Sequence, residues 1–335
     1  MTHAIAAMAG AIALAAVAAP VALAQDFYAG KTITVVTSTG AGGGYDLAAR
    51  AIARHMPKHV PGNPTMIVQN MPGGGHMIAT NHMYNVAPKD GTMIAIVHQI
   101  VPSYQVLDGT NARYDAAKFN WIGALSDRNA VMTVWHTSSV KTIADVMERE
   151  VTAGATGDAS VANTYPSVMN KVLGTKFKIV RGYKSSSEIN IALERGEIET
   201  RGGGLQGLMS QHADWVRDGK VRFIVQIGSK RDDALPDVPL WTEVAKTDEQ
   251  RQVLKLISAP ILLGWPFLAP PEVPADRLAI LRTAFITATR DKTFTTEAAK
   301  QNIGAGSIDH EEVARIVRDT ITAPPDIVAK AKAAM

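Results

Sequence analysis

The residues in this 335-residue chain that could do chemistry are glycines and hydroxyls gathered where helices should begin. Thr39, Gly40, Ala41, Gly42, Gly43, Gly44 and Tyr45 follow an apolar run and precede a helical pattern. Glycine permits backbone angles closed to other residues and lets a guest approach the peptide N–H groups. A helix start adds unsatisfied N–H groups and the positive end of the dipole. Together these hold an anion without any charged side chain. The design recurs at Pro72 to His76, with Gly74 and His76, and again at 154–163, with Thr156, Asp158 and Asn163 around a capping Ser160. Tyr183 to Ser187, with Ser185, and Arg201 to Gly204, with Gly202, supply two more. The first loop has neither the G-x-G-x-x-G spacing of a dinucleotide fingerprint nor the Gly-Lys-Ser/Thr of a P-loop.

Individual side chains around these loops each have two readings. Arg201 sits where a strand should emerge. Facing inward, its planar fork takes a carboxylate bidentately; facing outward, it is a solvated strand-end charge. His76 and His98 either donate to an anion or make contacts between lobes. Tyr45 either closes over a guest or packs against its loop. Asp46 begins a helix and is expected to cap it rather than touch a ligand. Trp265 and Tyr165 read as core aromatics before pocket walls, and Lys184 as a candidate donor or a surface ammonium. No catalytic set is visible: there is no G-x-S-x-G elbow, and Ser138 to Lys141 match S-x-x-K without K-T-G. No histidine and carboxylate pattern has metal spacing, so neither metal nor cofactor is expected. A secreted enzyme acting on phosphate esters, or a module presenting ligand to a membrane kinase, remain alternatives to a receptor.

The elements that must position these groups follow from pattern and composition. Residues 1–24 carry no acid, contain an apolar stretch and end in Ala22-Leu23-Ala24, which reads as a cleavable secretory signal. Cysteine is absent and the charges are interspersed, with a formal net charge of +3. That excludes disulfides and a nucleic-acid-binding stripe. Strands at 33–36, 66–68 and 93–97 alternate with helices beginning near 46 and 75. A second series places strands at 131–135, 151–157, 177–183 and 221–228, with helices between them. Pro-rich connectors around 264–274 and two further helices close the chain. Two α/β lobes with a cleft between them are expected, followed by a C-terminal helical segment. Residues 25–125 plus 230–335 form the first lobe and 126–229 the second. In such sheets ligands bind outside the carboxyl ends of the strands, so the loops should converge on one cleft.

With these residues laid out, the chain resembles the receptor component of tripartite tricarboxylate transporters, the Bug-type periplasmic solute-binding proteins. The blocks ITVVTSTGAGGGYDLAARAIA, QNMPGGGHMIATNHMYNVAPKDGTMIAI, GYKSSSEINIALERGEIE, VRFIVQIGSKRDDALPDVPLWTEV and GWPFLAPPEVPADRLAILRTAFI carry the resemblance in that order. It implies an α/β type II periplasmic-binding-protein fold closing on a small carboxylate, membrane transporter subunits as partners, a monomer, a periplasmic location and no enzymatic activity. It also implies that Thr39 to Tyr45, Thr156 to Asn163 and Tyr183 to Ser187 grip the carboxylate. This chain departs from the family pattern at TSTG, which lacks the usual proline, and at Arg201 to Gly204, where many members have an aspartate and an aromatic.

Overall fold

The computed structural model describes residues 27–335, except 43, 127, 156–159, 184–185, 302, 305 and the side chains of Ser210 and Gln211. The expected signal, Gly43, Thr156, Asp158, Lys184 and Ser185 therefore lie outside the described residues. The first series is β1 (Thr32–Thr37), α1 (Gly44–His55), β2 (Thr65–Asn70), α2 (Met77–Asn85), β3 (Met93–Ile96), α3 (Val101–Leu107) and β4 (Asn120–Ser126). The second is β5 (Ala130–Trp135), α4 (Ile143–Glu148), β6 (Val151–Ala155), α5 (Val161–Leu173), β7 (Phe177–Arg181), α6 (Ser186–Glu194), β8 (Thr200–Gly204), α7 (Leu205–Gln211), α8 (Ala213–Arg217) and β9 (Val221–Ile227). The chain closes with α9 (Trp241–Val244), α10 (Asp248–Leu263), β10 (Trp265–Ala269), α11 (Ala275–Arg290), α12 (Lys292–Gln301), β11 (Gly306–Asp309), α13 (His310–Ile321) and α14 (Pro325–Ala334).

Two mixed sheets result, ordered β11-β4-β10-β3-β1-β2 and β7-β6-β8-β5-β9. In the first, β1 runs parallel to β2 and β3, while β10 lies antiparallel between β3 and β4. In the second, β6 runs parallel to β7 and β8, and β5 is antiparallel to β8 and β9. The carboxyl ends of β1 to β4 therefore share one edge, and those of β6 to β9 share another. Only residues 127–129 separate the end of β4 from the start of β5, so the two edges meet at this crossing.

Both sheets are covered on both faces, which explains why their strands read as unbroken apolar runs rather than alternating ones. Ile33, Val35 and Ile94 pack against α1, α11 and α12, whereas Val36 and Ala95 face α2, α3 and α13. In the second sheet Met132 and Val134 face α5 and α10, while Trp135 packs with Ile189 and Trp215 on the opposite side. Helix α10 enters both cores, with Val253, Leu254 and Ile257 in the second lobe and Leu263 in the first. Helix α14 buries Ile327, Ala331 and Ala334 against the second lobe.

The stretch expected to be a Pro-rich connector is in fact the inner strand β10. Pro266 has no N–H to give a ladder, but it lies near the strand start, where that loss is tolerated. Its carbonyl accepts from Val97 N at 3.1 Å. Helix α10 was not anticipated either, although its signal is in the sequence. Thr247 caps it by accepting from Gln250 N at 3.1 Å, and Gln250 Oε1 accepts from Thr247 N at 3.2 Å, a capping box.

Candidate functional site

The glycine loop after β1 is built from behind. Asp46, only 1% exposed at the start of α1, accepts from Gly42 N and from Arg50 Nε, both at 2.9 Å, and from Asn70 Nδ2 at 2.8 Å. Asn70 also donates to the Thr39 carbonyl at 3.0 Å. Burial pushes the Asp46 carboxyl up, but Arg50, the Gly42 N–H and Asn70 outweigh it and hold the group below the usual carboxylate range. Asp46 thus tethers the loop. It also commits the Gly42 N–H inward, so this amide is not free for a guest in this conformation. Gly42 favours glycine for its φ of +83°, and a Cβ on Gly44 would press on the Trp265 ring at 3.1 Å. Gly40, Ala41 and Gly42 themselves project outward, exposed at the sheet edge.

Beside this loop, rings from separated segments form a ladder. Trp265 stacks on Tyr45 with centroids 5.2 Å apart, Tyr45 on His98 at 5.2 Å, and His98 on His76 at 4.1 Å. Trp265 and Tyr45 therefore belong to this edge as well as to the packing beneath it. Proton positions follow from the partners. His76 Nδ1 lies 3.2 Å from the Ser38 carbonyl, which only accepts, so Nδ1 carries the hydrogen. His98 Nδ1 accepts from Ile100 N at 3.3 Å, leaving its Nε2–H as a donor. Burial, and then the neighbouring His76, push the His98 pKa down to about 3. His76 stands at φ +78°, and Gly73, Gly74 and Gly75 before it are also left-handed; such a run is strained for a non-glycine residue and is typical of functional loops. The Ser38 hydroxyl and Gln99 Oε1, which no sequence pattern marked, are buried at this edge and meet no partner among the described residues.

On the facing lobe, Ser160 caps α5 by accepting from Asn163 N at 3.3 Å, and Asn163 Oδ1 accepts from Arg181 Nε at 2.9 Å. Tyr183 leans on Gly154, whose missing Cβ would meet the Tyr183 ring at 3.4 Å and overlap Ile198 more severely. Tyr165 is 7% exposed and packs edge-on against Trp241 in the core, as expected. Arg201 faces inward: it is 9% exposed, and burial lowers its pKa. Gly202 lets the start of α5 approach, with Ala162 Cα 3.6 Å from where a Cβ would stand. The structure thus gathers Thr39 to Gly42, Gly44, Tyr45, Gly74, His76 and His98 on one edge, and Asn163, Tyr183, Arg201 and Gly202 on the other.

Two α/β lobes whose carboxyl strand edges meet at a short crossing, each lined by positioned polar groups, define a periplasmic-type solute-binding protein. The chain belongs to the tripartite tricarboxylate transporter receptor family, whose profile matches residues 48–332. It is a receptor fold rather than an enzyme. A UPF0065 protein from the TAR-I ttuE-ttuC' intergenic region of Agrobacterium vitis is 26% identical over 278 residues, covering 81% of this chain and 75% of that one. Among solved structures, a TctC solute-binding protein from Polaromonas without ligand superposes with a TM-score of 0.72 at 18% identity, covering 91% and 97% of the two chains. MatC from Rhodopseudomonas palustris with bound malate superposes at 0.58, with 21% identity and 89% and 99% coverage.

Proposed function

We propose that this protein is a periplasmic receptor that captures a small organic carboxylate between its lobes and hands it to the membrane subunits of a tripartite tricarboxylate transporter. The observation that carries this reading is the preorganised loop after β1. Asp46 and Asn70 fix it from behind, and its outer residues project at the same edge as the His98 Nε2–H. The malate bound to MatC supports the ligand class. A charge-assisted hydrogen bond contributes about 1.5–3 kcal/mol. Roughly three or four of them, after the cost of closure, reach the ~8 kcal/mol of micromolar binding. Each lobe supplies part of the grip, so the ligand favours the closed form and shifts the population toward it. Calorimetry of the mature chain against a panel of small organic acids, with phosphate esters as controls, should find binding to acids alone and no turnover of the esters. A chain that binds no organic acid ends this reading.

A further inference from the structure

Arg201 stands on β8 between Thr133 of β5 and Gly154 of β6. Among the described residues no carboxylate pairs with it, and its one hydrogen-bond acceptor is Asn190 Oδ1. Most of its five N–H donors therefore meet no acceptor among the described residues. A guanidinium stays charged at any working pH, and a buried cation with no acid beside it is strongly destabilising. Such a group persists where an anion arrives from outside.

The surroundings fix where the fork points. Arg201 and Gly203 lie on the same face of β8, two residues apart. A Cβ on Gly203 would overlap Arg201 Nη2, so the side chain runs along the strand over Gly203 toward the carboxyl edge. That is the reason for a glycine at this position. Behind the fork, hydrogen-bond polarity passes from group to group without ambiguity. Arg201 can only donate, so Asn190 must present its Oδ1. The Asn190 Nδ2 then faces His212 Nε2 at 2.8 Å and must donate to it, which places the His212 proton on Nδ1. His212 is held in turn by stacking on Trp215 at 4.0 Å, and the Trp215 indole donates to Glu194 Oε1 at 3.1 Å. Asn190 is 3% exposed and Trp215 2% exposed, so this chain is locked in the second lobe's packing.

We propose that Asn190 and His212 are positioning residues that hold the uncompensated Arg201 fork beneath the cleft edge to receive a second carboxylate, which makes the ligand a dicarboxylate. The proposal rests on the receptor reading above and narrows it. The first carboxylate belongs to the loop edge of the other lobe, and the spacing between the two anionic groups sets chain length.

The test is calorimetry on the mature chain with succinate, malate and adipate, each against the monocarboxylate of the same chain length. The parent should bind its best dicarboxylate about tenfold to a hundredfold more tightly than the matched monocarboxylate. Asn190→Asp is nearly isosteric and supplies Arg201 with a built-in anion. It should erase that preference while keeping the melting temperature at or above the parent's. His212→Leu should weaken dicarboxylate binding about tenfold, and His212→Gln, which restores an acceptor near the Nε2 position, should recover it. Gly203→Ala, which displaces the fork without touching the relay, should reproduce the Asn190→Asp loss of preference and serves if that variant fails to fold. Equal binding of mono- and dicarboxylates by the parent overturns the proposal but leaves the receptor reading intact, as does an Asn190→Asp variant with the parental preference. No binding of any acid removes both.

Discussion

His98 shows how a single ring can be tuned by its place in a stack. The unfolded chain protonates it near its ordinary value of about 6.5, whereas the folded site, through burial and then His76, takes the proton only near 3. The unfolded state therefore binds more protons between those limits. The stability due to neutral His98 is complete above about pH 6.5 and is lost as pH falls through the window. Urea unfolding should show a loss of up to about 2 kcal/mol between roughly pH 6.5 and 5 from this group. His98→Gln should flatten that slope; an unchanged slope would mean that His98 titrates normally. At this scale the sequence showed which residues carry chemistry but not their orientation. His76, His98 and Arg201 could be picked out from their glycine-rich neighbourhoods. Asn190 and His212 could not, because Asn190 meets Arg201 through space from α6 and His212 meets Asn190 from the junction after α7, with no spacing rule to connect them.

The start of α1 is where one side chain organises an element. Asp46 is simultaneously a helix-start carboxylate, the acceptor for the loop amide at Gly42 and the partner of Arg50 and Asn70. Asp46→Ala strands all three donors and should cost about 2–4 kcal/mol in urea unfolding. Malate binding should weaken with it, because the loop after β1 loses its tether. A loss below about 1 kcal/mol would show that the donors find other partners. Elements with a strong period were legible: β1, β3, β5 and β9 as β-branched runs, and α5 and α13 from their caps and apolar spacing. The four-residue strand β11 (Gly-Ser-Ile-Asp) and the glycine-rich β8 carry little such signal, since their places are set by neighbours in the sheet. β10 was hidden by Pro266 and the prolines that follow it, and tertiary pairing on both sides overrode the local reading.

Across the whole molecule, the closure proposed above should turn about the place where the lobes cross. Asn129 donates to Gln226 Oε1 and to the Lys230 carbonyl, both at 2.8 Å, and Arg128 pairs with Asp232. Gly228 gives Asn129 room that no Cβ would leave. The pivot is thus a close-fitting joint of short segments, the kind that absorbs hinge rotation at a few residues. Helix α10, with Pro260 inside it, lies in both cores and ties the lobes together behind that pivot. X-ray scattering should show a smaller radius of gyration at ligand saturation, and an unchanged radius would count against closure. The two-lobe plan was readable because alternating strands and helices force covered sheets. The joint was not, because its tight fit depends on residues about a hundred positions apart.

The ladder at the first lobe's edge has one further consequence. Of the five tryptophans, Trp121, Trp135, Trp215 and Trp241 are sealed in the cores, and Trp265 alone is half-buried, stacked on Tyr45 where the guest should dock. Its indole emission should therefore respond to occupancy while the other four stay silent. Malate should change the intrinsic fluorescence of the parent but not of Trp265→Phe, even though calorimetry finds both occupied. The protein carries its own dye, and the speed of capture can be timed by stopped-flow mixing without a label.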